Sequence, residues 1–75
     1  MPKGKAIKQT DETDIAKLTE MARADIASGK VKYFAFGPGD DAERQKIIQW
    51  IIEHSPAWRS KGSSAIREGM RQAGL

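Results

Sequence analysis

The run Lys30-Val31-Lys32-Tyr33-Phe34-Ala35-Phe36 is the one stretch of this chain whose composition fits a β-strand. Aromatic and β-branched residues favour extended backbone, and Gly37-Pro38-Gly39 closes the run. A lone strand cannot satisfy its backbone polar groups within its own chain. Either a second copy supplies the partner, which is the expectation adopted, or the run is not a true strand. Alternation places Val31, Tyr33 and Ala35 on one face and Lys30, Lys32, Phe34 and Phe36 on the other.

Helices are predicted on both sides of this strand (30–36). Ile15, Leu18, Ala22 and Ile26 recur at helical spacing, so a helix is expected over 11–28. Asp11, Glu12 and Asp14 would sit in its first turn, at the positive end of its dipole, and Gly29 would cap its end. Asp40 and Asp41 would start a second helix, 40–54, which Ser55-Pro56 stops. Ile47, Ile48, Trp50, Ile51 and Ile52 give it five apolar residues in six positions, more than a small monomer needs, which points to a dimer core. After a loop, a third helix is expected over 63–73, with Ser63 and Ser64 as N-cap side chains and Gly74 at its C-terminal end. Residues 1–9 read as a flexible basic arm, so 10–75 form a single domain.

Several function classes are poorly supported. The 75 residues include no cysteine and only one histidine, His54, so nucleophile–base pairs built on either have no second member. His54 falls at a helix end, where the dipole accounts for it. Gly37-Pro38-Gly39 lacks the lysine and hydroxyl residue of a P-loop. No ligand cluster suggests a metal, no cofactor is implied, and an enzyme is not expected. No apolar run approaches the roughly 18–20 residues that span a membrane. The basic start has no apolar segment behind it, so it is not a secretory signal, and a cytoplasmic protein is expected.

Charge placement says more than the net charge of +3. Lys3, Lys5 and Lys8 lie in the first nine residues without an acid among them, and Arg59, Lys61, Arg67 and Arg71 face only Glu68 between 59 and 71. A helix N-terminus at Ser63-Ser64 framed by Arg59 and Lys61 is suited to hold a phosphate. Strand, helix and serine-led helix, in that order, compose a dimer in which two strands form an antiparallel ribbon entering the DNA major groove while helix N-termini grip flanking phosphates. Double-stranded DNA and a second copy of the chain are thus the expected partners. The fold class is mainly α with one short strand.

The run Arg59-Ser60 through Ser64-Ala65-Ile66-Arg67-Glu68-Gly69-Met70 resembles the second helix of ribbon-helix-helix proteins, and Gly29-Lys30-Val31-Lys32 with Phe34 and Phe36 resembles the ribbon. The nearest similarity is to centromere-binding repressors of plasmid partition systems, of the ParR and ParG type. The resemblance covers about residues 29–75 and implies a dimer with an additional N-terminal helix. It implies cooperative assembly on repeated DNA sites, with repression or plasmid segregation as the task. By position, Val31, Tyr33 and Ala35 would face the groove, Phe34 and Phe36 the core, and Ser63 and Ser64 the phosphates, helped by Arg59 and Lys61. Lys30 and Lys32 would reach DNA only if the strand frays or shifts register.

Two other readings remain. A helix-turn-helix fold, winged or tetrahelical and similar to StbA-type plasmid-stability proteins, would lay residues 63–71 in the groove, with Arg67 and Arg71 reading bases. A protein-interaction module, such as an antitoxin or a phage inhibitor, would use the apolar surface of 47–52 and Trp58.

Overall fold

The structure, a computed structural model, describes residues 9–37 and 39–75, without the side chain of Asp40. The arm expected over 1–9, with Lys3, Lys5 and Lys8, lies outside the described residues apart from Gln9, as do Pro38 and the capping expected of Asp40. Among the described residues four helices follow one another: α1 (Ile15–Ser28), α2 (Gly39–His54), α3 (Pro56–Arg59) and α4 (Ser63–Gln72).

α1 begins later than its charge pattern predicts. Thr10 and Glu12 accept the amides of Glu12 and Asp14 at 3.1 and 3.0 Å, which holds 10–14 in turns. Asp14 is the N-cap, accepting from the Ala16 amide at 3.0 Å, so the acidic block precedes the helix rather than filling its first turn. Gly29 caps the other end as expected, with φ 83° and the Lys30 amide bonded to Asp25 O at 3.2 Å.

The core is made by α1, α2 and α4: Leu18 and Ala22 meet Ile47, Ile48, Trp50 and Ile51, and Ile66 and Met70 close the other side. The broad apolar surface of α2 is therefore absorbed within one chain. α2 lies between α1 and α4, so both flanks of its apolar arc find partners without a second copy, and the dimer core expected from that arc does not follow.

The expected strand does not form among the described residues; exposure alternates residue by residue over 31–36, as on extended backbone, but no second strand pairs with it. Two side chains of α2 take the place of a neighbouring strand. Gln45 accepts the Phe36 amide at 2.8 Å and donates to Phe36 O at 2.5 Å, while Gln49 donates to Phe34 O. The faces are opposite to the expectation. Val31 and Tyr33 pack on the core, while Phe34 and Phe36 are 84% and 78% exposed. The Tyr33 hydroxyl donates to Glu53 at 2.8 Å, which fixes this parity from the other side.

The expected loop between the last two long helices contains α3. Ser55, fully buried, accepts the Trp58 amide at 3.3 Å, and Pro56 occupies the first helical position, where its missing N–H costs nothing. The Trp58 indole lies on Gly69 of α4, where an added Cβ would come within 3.0 Å of its ring, and its N–H donates to Thr13 O at 2.9 Å. Trp58 therefore joins α3, α4 and the approach to α1, in keeping with a core-covering role. Ser55→Ala should lower stability by about 1 kcal/mol, or about 4–8 °C in melting temperature followed by circular dichroism; an unchanged melt would show that the cap contributes nothing.

Candidate nucleic-acid interface

Three of the four helices have a described N-cap, and they differ. Asp14 and Ser55 close the first turns of α1 and α3 with side-chain oxygens. The N-cap of α4 is Gly62, at φ 95° and ψ 166°, and no side chain among the described residues caps the helix. Ser63 and Ser64 are thus the first helical residues, not the cap, because Gly62 alone tolerates the left-handed entry from the preceding turn. The first-turn amides of α4 therefore meet no side-chain acceptor among the described residues, at the positive end of its dipole.

Ser63, Ser64 and Arg67 line a cleft of about 240 Å³ together with Gln45, Ile48 and Gln49 of α2. The fold thus unites three of the expected site residues. The other expected residues fall elsewhere. Arg59 is committed to the end of α2: its guanidinium donates to Ile52 O at 2.6 Å, to Glu53 O at 2.8 Å and to Gln9 Oε1 at 2.8 Å. Thr10 N–H and the Gln9 side chain complete that end on His54 O and Glu53 O, at 2.8 and 2.9 Å. Lys61 lies over the Trp58 ring, 5.1 Å from its centroid. Lys32 and Tyr33 border a separate cleft with Lys46, and Lys30 is exposed nearby in sequence. Tyr33 does not face outward as a groove residue; burial, and then the Glu53 carboxylate, push its hydroxyl pKa up, so it stays a neutral donor.

Both arginines of α4 are paired. Arg67 donates to Asp41 at 2.7 Å, and this bond, followed by one from Gln45, holds the Asp41 carboxyl below its ordinary range. Arg71 grips Glu68 through two bonds, at 3.1 and 2.5 Å. Gln45 also links the two halves of this face. Its amide accepts from Phe36 N–H and donates to Asp41 at 2.6 Å, and Asp41 accepts from Arg67. A hydrogen-bonded chain therefore runs from the extended segment to α4.

Gln45 and Gln49 were not singled out from the sequence, and Asp41 was expected only as part of a helix start. Their signal was the i, i+4 spacing of the two glutamines beside a segment whose backbone needed partners. His54 stacks on Trp50 at 4.1 Å, and Trp50 O accepts from its Nδ1 at 2.9 Å, so the proton sits on Nδ1. Among the described residues no group of His, Asp and Glu side chains is arranged for a metal ion, and no helix is long and apolar enough to cross a membrane.

Arg71, and then Gln72, hold the Glu68 carboxyl down to about 2. A depressed carboxyl favours the fold above its unfolded pKa and loses that contribution as pH falls through about 2. An NMR titration should find the Glu68 midpoint there, moving back toward about 4.3 in Arg71→Ala; a midpoint unmoved by that substitution would exclude Arg71 as the cause. Comparison with protein-family models, curated proteins and solved structures found no match for the chain.

Proposed function

We propose that the chain binds double-stranded DNA, gripping the phosphate backbone with the open first turn of α4. The observation that carries this reading is the uncapped start at Gly62, beside exposed Ser63, Ser64 and Arg67 on one cleft. Open amides, two hydroxyls and a guanidinium supply donors of the kind that phosphate oxygens accept. The pairing of Arg67 with Asp41 and of Arg71 with Glu68 supports a phosphate clamp over a base-reading helix. Bidentate base contacts need both guanidinium groups free, whereas the amides and hydroxyls at the start of α4 can donate to a phosphate with both arginines still paired. The resemblance of 59–70 to the second helix of ribbon-helix-helix proteins extends this reading to repression or plasmid segregation as the task such a grip serves.

The test is duplex binding followed by fluorescence anisotropy across a salt series. Affinity should fall linearly on logarithmic axes, with a slope near −0.9 for each phosphate neutralised. Arg67→Ala should weaken binding and reduce that slope by about one. Asp41→Asn, which releases Arg67, should strengthen it. Binding that ignores salt, or that Arg67→Ala leaves unchanged, would remove the proposal.

A further inference from the structure

Phe34 and Phe36 are the most exposed large apolar side chains among the described residues, and they occupy a segment bonded to two glutamines of α2. Exposure of a phenyl forgoes the apolar transfer energy that burial would return. A slip of one residue would turn both rings inward and put Val31 and Tyr33 outside. The chain blocks that slip at three points: Gln49 on Phe34 O, Gln45 on both polar groups of Phe36, and Glu53 on the Tyr33 hydroxyl. The rings are thus presented by specific bonds and not left over from loose packing.

Lys30 and Lys32 are exposed on the same alternation, and no acidic residue lies between 30 and 37. The outward order is therefore cation, cation, aromatic, aromatic. Residues two apart on an extended chain are separated by about 6.6–6.8 Å. Each exposed ring offers a face on which a base can stack. Positive charge beside aromatic faces is the chemistry that holds unpaired bases regardless of sequence.

We infer that Phe34 and Phe36 form a stacking site for an unpaired base of single-stranded nucleic acid, whose backbone follows Lys32 and Lys30. This site adds to the α4 grip and does not depend on it. The two adjoin, since Gln45 and Gln49 carry the segment on one side and line the Ser63–Arg67 cleft on the other.

The experiment uses the whole chain with two probes in parallel: a labelled oligothymidylate of about 12 nucleotides, within the range one such surface covers, and a labelled duplex. Phe34→Ala and Phe36→Ala should each weaken the single strand about fivefold or more, Phe36→Tyr should retain it, and none should move the duplex. Helical circular dichroism should be unchanged, because the deleted rings are largely exposed. Arg67→Ala, in contrast, reports on the duplex grip alone. The inference is overturned if the oligothymidylate does not bind, if the double alanine variant binds it equally well, or if duplex and single strand weaken together. It is overturned as well if sedimentation shows the alanine variants turning a dimer into a monomer while single-strand affinity stays put, since the occupant would then be a second copy of the chain.

Discussion

The geometry of the exposed face depends on how the backbone of residues 34–36 is satisfied. An extended segment without a neighbouring strand leaves amides and carbonyls that must find partners or water. Here Gln45 and Gln49, one turn apart on α2, supply a donor–acceptor amide and a donor at the spacing a strand would have offered. Because the glutamines are anchored in a helix whose other face is core, they fix both the height and the register of the segment. The register in turn decides which side chains meet water. Tyr33 is drawn to Glu53, Val31 packs inward, and the two phenyl rings are left outside.

The same substitution of side chains for missing secondary structure recurs at the end of α2. Three of its last carbonyls would be orphaned where the chain turns into α3. Arg59 reaches back to two of them, and Gln9 and Thr10 complete the set from the N-terminal side. A cation placed there is favoured by the helix dipole as well. Arg59 consequently contributes to holding α1's approach, α2 and α3 together. Its positive charge sits at the carbonyl end of α2, not at the amide end of α4. Counting basic residues between 59 and 71 could not distinguish these two uses.

The helices were legible because their signals are local. Apolar spacing marks α1 and α2, Pro56 marks the break after Ser55, and Gly29 and Gly74 mark ends, both at positive φ. What could not be read were choices that local pattern leaves degenerate. Alternation over 30–36 defines two faces but not which one is inside, and the answer lay in Glu53, Gln45 and Gln49, up to twenty positions away. α4 starts at Ser63 as expected, but its cap was expected at Ser63 or Ser64 because serine is a favoured N-cap, whereas the turn through Lys61 requires a positive-φ residue and Gly62 supplies it. Of the predicted contacts, Ser63, Ser64 and Arg67 converge since they share one helical turn and its neighbour. Arg59, Lys30, Lys32 and Tyr33 do not join them, since they depend on how distant elements pack.

Asp41 carries an argument that neither the cleft nor the phenyl pair carries alone. One of its oxygens accepts from Arg67 and the other from Gln45, whose carbonyl holds the Phe36 amide. An anion that draws Arg67 into the cleft leaves Asp41 with Gln45 as its remaining partner. The pair is half-exposed, so it exchanges readily with solvent and is screened by salt. A phosphate bound as proposed would compete with a carboxylate that water already loosens, not with a buried ion pair. Such an arrangement keeps Arg67 oriented, while Phe36 is held by Gln45 directly and does not need the Arg67 pair. Arg67 is where the two halves of the face meet, through four groups whose bonds can be removed one at a time.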